Sequence, residues 1–237
     1  MKPLSREVNG TRNRILSRLP SKDLQRLRRQ MKLVELPLGT SLYEPNAPLE
    51  RVYFPEDGLA SLLTRLGDGI ETEVATVGRE GMVGMPAFFG VNSVPGRTIW
   101  QVPGKALVLQ TKELRRETRQ GGALNDILHL YAQGLFTLIS QSASCNRRHE
   151  IVQRCSRWLL MTHDRVNGDE FALTQEFLSK MLGVRRAGVS VAAGILQKAG
   201  LIKYSRGRIT IVDREGLEGI SCECYGIVRE EFDRLLG

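Results

Sequence analysis

Two adjacent arginines, Arg185 and Arg186, follow closely on Gly183 and carry the sharpest chemical signal in the chain. A guanidinium is permanently charged and presents a rigid fork of donors, so it can hold a phosphate or bond a guanine edge bidentately. Gln175 and Ser190 add neutral polar groups nearby, and Arg206 and Arg208 flank Gly207 a little further on. Bond-making chemistry has much weaker support. No Ser/His/Asp set sits in a recognisable elbow, and no H-E-x-x-H is present. Gly78-Arg-Glu-Gly81 lacks the lysine and the following long helix of a Walker or Rossmann loop. An enzyme is therefore not expected. Cys222-Glu-Cys224 is a lone C-x-C with no second pair or histidine close by in sequence. Structural zinc takes four ligands, so these read as two incidental thiols and no metal is expected.

The segment from Thr174 to Leu201 must position the arginines, and it reads as two helices joined by a tight corner. Thr174 is placed to cap the first helix, whose inward face is Phe177, Leu178 and Met181. Gly183 makes the corner, where a positive φ or a close approach is needed. The second helix is expected from about Arg185 to Ala199, with Val189, Ala193 and Leu196 inward and Gly200 closing it. Small Ser179 stands four positions before the corner glycine and apolar Val189 six after it. That spacing is the helix-turn-helix arrangement, which exposes the start of its second helix to a DNA major groove. Leu201–Tyr204 and Ile209–Val212 then flank Ser205-Arg-Gly-Arg208, a β-hairpin whose tip arginines can reach backbone phosphate.

Charge supports a polyanionic partner. Residues 147–208 hold 12 Lys+Arg against 5 Asp+Glu, in a chain of 237 residues with net charge +8. Hydrophobic residues make up 41% and charged residues 25%, the balance of a globular protein. No apolar run is long enough to cross a bilayer, and the polar stretch Met1–Arg14 lacks the apolar core of a secretory signal. The four cysteines read as reduced thiols in a cytoplasm.

Upstream, residues 33–109 alternate short apolar stretches with glycines and prolines, the pattern of an antiparallel sandwich or barrel. Two short helices precede it, around Arg12–Leu19 and Ser21–Met31, with Ser21 read as the second helix's N-cap. After Gly122, the residues Leu124, Leu128, Tyr131, Leu135, Leu138, Ser142 and Cys145 step alternately by four and three. Such an a/d seam suits pairing with a second copy of the same helix, although a helix packed on its own domain gives the same period. The expected dimer interface is Leu124, Leu128, Tyr131, Leu135, Leu138 and Ser142.

With these motifs in place, the sequence resembles the Crp/Fnr family of bacterial transcription regulators over most of its length. The resemblance rests on Arg154-Cys-Ser-Arg-Trp-Leu-Leu160, on Thr174-Gln-Glu-Phe-Leu-Ser-Lys-Met-Leu-Gly-Val-Arg-Arg186, on the Leu-Gln-Lys-Ala-Gly-Leu-Ile run at 196–202, and on the order of the parts. It implies a sensor domain like the cyclic-nucleotide-binding jelly roll, in which Gly84, Arg97 and Thr98 take effector-site positions. Met85 stands where nucleotide-binding members place a ribose-binding glutamate, and a thioether cannot accept two strong hydroxyl bonds, so cyclic AMP is doubtful and no cofactor is expected. Oxygen-sensing members carry their iron–sulfur cysteines near the N-terminus, whereas the first cysteine here is Cys145. His129, His149 and His163 each read as polar surface residues and give haem little support. In the recognition helix, Ala187 and Val191 replace the family's best-known base-reading Glu and Arg, implying a different operator. Arg186 matches the family's first arginine and is expected to read a base, while Gln175 holds phosphate.

The expected fold class is α+β: a β jelly-roll sensor over 1–120, a dimerisation helix over 121–146, a winged helix-turn-helix over 147–218 and a helical tail over 219–237. The expected DNA-binding residues are Gln175, Arg185, Arg186, Ser190, Arg206 and Arg208. The expected function is that of a cytoplasmic, homodimeric regulator on double-stranded DNA, with RNA polymerase and an unidentified small effector as further partners and no membrane. The alternative is a ligand-binding module whose C-terminal helices contact other proteins.

Overall fold

The computed structural model of the chain describes residues 10–65, 67, 69 and 71–237. Helices α1 (Arg14–Ser17) and α2 (Ser21–Arg28) come first. Asn13 caps α1 by accepting from the Leu16 amide at 3.2 Å. The expected capping role of Ser21 is corrected: Pro20 is the cap residue of α2, and Ser21 is its first helical residue.

Strands β1 (Lys32–Leu36), β2 (Ser41–Tyr43), β3 (Arg51–Arg65) and β4 (Glu71–Val77) follow, then helix α3 (Met85–Phe88) and strand β5 (Arg97–Gln110). They form one antiparallel sheet in the order β1-β5-β3-β4, with β2 also on β5. The long strands explain how one sheet makes a roll. The C-terminal half of β5 pairs with β1, Lys32 opposite Val108, while its N-terminal half pairs with β2, Tyr43 opposite Thr98. Register shifts between Pro55 and Ala60 bend β3 along the same line. Phe54, Leu59, Trp100 and Leu109 fill the interior of the roll and are fully or almost fully buried.

After α4 (Thr111–Thr118) comes the 26-residue helix α5 (Ala123–Arg148). Helix α6 (Ile151–His163) then opens the C-terminal domain, which continues through β6 (Glu170–Ala172), α7 (Gln175–Leu182), α8 (Arg186–Lys198), β7 (Ile202–Ser205), β8 (Arg208–Ile211) and α9 (Arg214–Ile220). Strands β6, β8 and β7 form a small antiparallel sheet. The tail is α10 (Cys224–Leu236), and it folds back along α5. Gly134 permits that approach, because a Cβ there would come within 2.7 Å of the Phe232 ring. Phe232 in turn stacks on Tyr131, with centroids 6.2 Å apart.

This docking changes the reading of α5. Leu124, Leu128, Tyr131 and Leu138 are all buried within the chain's own fold, Leu135 and Ser142 are half-buried, and so the predicted seam faces the chain's own sheet and tail. The large apolar side chains that α5 leaves exposed are Leu130 (43%), Phe136 (66%) and Ile139 (38%). An a/d repeat reports burial alone and does not say which partner supplies it.

Candidate nucleic-acid interface

Helices α7 and α8 are built as their sequence requires. The Thr174 hydroxyl accepts from the Phe177 amide at 3.1 Å and starts α7. Gly183 ends it at φ 61°, ψ 39°, a left-handed corner in which a side chain would be strained. Ser179 and Val189 are both buried, as close packing of α7 on α8 requires. Arg185 is the cap residue of α8 and Arg186 its first helical residue, and both are exposed. Neither forms an ion pair among the described residues. The first turn of α8 also carries no acidic residue. Its unpaired amides therefore add positive potential to two guanidinium groups, a suitable seat for an anion.

The other predicted contacts divide. Ser190 donates to the Gln175 side-chain oxygen at 2.6 Å and to the Arg186 carbonyl at 3.1 Å, so the two predicted polar contacts brace α7 against α8. Arg206 and Gly207 both have positive φ, 48° and 74°, which is the two-residue turn whose twist matches a tight hairpin. Arg206 is thereby held at the exposed tip of the wing. Arg208 differs: its guanidinium is tied to Glu170 at 2.6 and 2.7 Å, which neutralises part of the charge expected for phosphate. Between wing and helices runs a groove lined by Thr174, Gln175, Arg186, Tyr204 and Arg206. The wing is fixed to the recognition helix by the Tyr204 amide, which donates to Gln197 at 2.8 Å.

In the roll, Gly84, Arg97 and Thr98 do line one cavity, together with Met85, Tyr43, Met82 and Phe89 and with Leu135 and Ile139 of α5. Its lining is mostly apolar. The charge that a phosphate would need is already engaged, since Arg97 lies 3.4 Å from Glu44 and 3.7 Å from Glu71. Sequence reading missed both carboxylates because they come from β4 and from the turn after β2.

The junction between sensor and DNA-binding domain is polar and also escaped the sequence. Arg165, just beyond α6, reaches Glu80 after β4, and Trp158 of α6 donates to Glu73 of β4 at 2.9 Å. Glu73 also accepts from Ser61 at 2.6 Å. Burial pushes the Glu73 carboxyl up to about 7, against the opposing pull of those two donors and of Arg157 and Arg165.

Two expectations about titratable residues are corrected. His163 is buried rather than a surface residue, and its ring meets Asp169 at 2.8 Å and Arg214 at 2.9 Å. His129 is exposed as expected, but His149 lies beside Cys224. The thiols of Cys145, Cys222 and Cys224 gather around it although Cys145 and Cys222 stand 77 positions apart in sequence, so no local spacing announced the group.

A β-roll sensor leading through a long helix into a winged helix-turn-helix defines a sensor-coupled DNA-binding transcription regulator. Residues 33–120 match the cyclic nucleotide-binding domain and residues 153–220 match the Crp-like helix-turn-helix domain. The chain belongs to the Crp/Fnr family. No curated protein matches it by sequence comparison. Among solved structures, FixK2 of Bradyrhizobium japonicum shares 16% identity at a TM-score of 0.68, over 81% of this chain and 98% of that one. The c-di-GMP responsive global regulator CLP of Xanthomonas campestris shares 16% at 0.61, over 81% and 99%. A CRP-family transcriptional regulator of Thermus thermophilus shares 17% at 0.62, over 81% and 96%. At these identities the likeness is one of fold. No helix among the described residues is long and apolar enough to cross a membrane.

Proposed function

We propose that the protein acts in the cytoplasm as a homodimer on a pseudo-palindromic operator, with its two recognition helices in successive major grooves about 34 Å apart. The observation that carries this reading is the pairing of exposed Arg185 and Arg186 with the acid-free N-terminus of α8, beside a wing tipped by Arg206. Arg186 reads a guanine edge, and Arg185, Gln175 and Arg206 hold phosphate. Dimerisation uses the exposed Phe136–Ile139 face of α5, a stripe of large apolar groups that water alone would not favour. RNA polymerase is the downstream partner, and the protein itself catalyses no reaction.

The sensor responds to a small, largely apolar effector instead of cyclic AMP. Met85 offers no ribose acceptor, and Glu44 and Glu71 occupy the cation that a cyclic phosphate would seek. Leu135 and Ile139 line both this cavity and the dimer helix, so an occupant bears directly on how the two subunits are presented.

Selection of bound fragments from random DNA with the purified full chain tests the reading, alongside sedimentation to give the mass in solution. The expected result is two dyad-related half-sites centred 10–10.5 base pairs apart and a dimer mass. Binding that shows no sequence preference and only a steep salt slope would overturn it.

A further inference from the structure

The C-terminal end of α5 and the start of α10 bring four metal-binding atoms together, none of them from a residue that lines the effector cavity or the groove beside the wing. Cys145 Sγ lies 3.5 Å from Cys222 Sγ, and Cys224 Sγ lies 3.5 Å from His149 Nδ1. All four donor atoms fall within 4.8 Å of one another. Cys145 and Cys224 are fully buried and Cys222 is nearly so. A tetrahedral ion with metal–sulfur bonds of about 2.3 Å places its ligands about 3.8 Å apart, close to the spacing found here. A four-iron cluster holds its thiolates further apart than a single ion does. A Cys145–Cys222 disulfide would leave Cys224 and His149 crowded against it without purpose.

The surroundings are those of a ligand set. His149 has its other ring nitrogen, Nε2, 3.2 Å from the Glu223 carboxylate, the contact that fixes the tautomer and orientation of a ligating imidazole. Gln141 donates to Cys224 Sγ at 3.2 Å.

We propose that Cys145, His149, Cys222 and Cys224 form a structural zinc(II) site that fastens the C-terminal helix to the end of α5. Three thiolates and one imidazole at tetrahedral spacing suit zinc, and four protein ligands leave no open position for catalysis. The ion's place explains why α10 turns back along α5 instead of trailing away. It sits one turn from the connector into α6, so it also stiffens the joint through which the sensor addresses the DNA-binding domain.

The test uses the full chain, expressed with zinc and purified without chelator. Elemental analysis is expected to return one zinc per chain, and X-ray absorption three sulfurs at about 2.3 Å and one nitrogen at about 2.0 Å. Cys222→Ser and Cys224→Ser should each lose the zinc. Glu223→Gln should keep the fold and bind zinc roughly 10–100-fold more weakly, read by competition with a chromophoric chelator. Stripping the wild-type chain should lower its melting temperature, and added zinc should restore it. Because the wild-type measurements stand alone, a cysteine variant that fails to fold does not blunt the test. The proposal is overturned by a wild-type chain that neither carries zinc nor takes it up when reduced, by iron in the site, or by a Cys145–Cys222 disulfide found by mass spectrometry.

Discussion

Arg165 closes on Glu80 through three hydrogen bonds of 2.9 to 3.0 Å, and the pair sits where the DNA-binding domain meets the sensor. Both side chains are more than nine-tenths buried. Burial disfavours the charged form of each, but Arg165 outweighs it at Glu80 and holds that carboxyl below its usual range, as Glu80 holds the Arg165 guanidinium up.

Removing one partner should therefore leave an uncompensated charge in the junction. Arg165→Met is expected to cost roughly 3–5 kcal/mol in denaturant unfolding, and Arg165→Met with Glu80→Gln much less than the two single changes added together. Strictly additive effects would show that the pair is not coupled. Because Glu80 is depressed, its contribution is present above the usual carboxylate range and is lost as pH falls through its folded value.

Glu73 should behave in the opposite sense. Its folded carboxyl titrates near 7 against 4.5 as the ordinary value, so the unfolded chain releases its proton first as pH rises. The stabilising effect is complete below about pH 4.5 and is lost as pH climbs to 7, at no more than about 1.4 kcal/mol per pH unit. Glu73→Gln keeps an acceptor for Trp158 and carries no charge. It should flatten that part of the stability–pH curve and be more stable than the parent at pH 8. An unchanged curve would remove Glu73 from the account.

Recognition and anchoring arginines should separate in binding assays. Arg186→Ala is expected to lose about 1–3 kcal/mol of discrimination at one base pair of each half-site. Arg206→Ala should weaken all sequences alike and reduce the salt slope by about one per subunit. Arg208→Ala should do little to binding, since Glu170 already holds its guanidinium. A large uniform loss from Arg208→Ala would mean that the wing rearranges on DNA.

The two faces of α5 should also separate. Phe136→Glu, on the exposed face, should yield monomers by sedimentation while changing unfolding by about 0.5 kcal/mol or less per monomer. Leu138→Ala, 1% exposed, should instead cost about 2–5 kcal/mol with the dimer retained. A dimer that survives Phe136→Glu would place the subunit contact elsewhere.

The DNA-facing apparatus was legible because its determinants are local. A threonine cap bonds three residues on, a glycine corner needs its own φ, and the Arg206-Gly207 hairpin turn follows from two positive φ values in succession. The same locality made the strands of the roll readable as short apolar stretches between breakers. The periodicity of α5 was real, but 3.5-residue spacing marks a buried face without naming what buries it. Here α10 and the chain's own sheet cover most of that seam, and the neighbouring stripe is left exposed.

Sequence alone determined the order of the parts, the corner at Gly183 and the outward arginines, since each depends on a residue's own chemistry or on neighbours within a turn. Tertiary structure decided which charges are engaged and which side chains meet. Glu170 claims Arg208, Glu44 and Glu71 claim Arg97, and Glu80 finds Arg165 across 85 residues. Three cysteines and a histidine converge in the same way only after the tail has folded back on α5. Such contacts depend on chain closure over long separations, and closure leaves no periodic trace in the sequence.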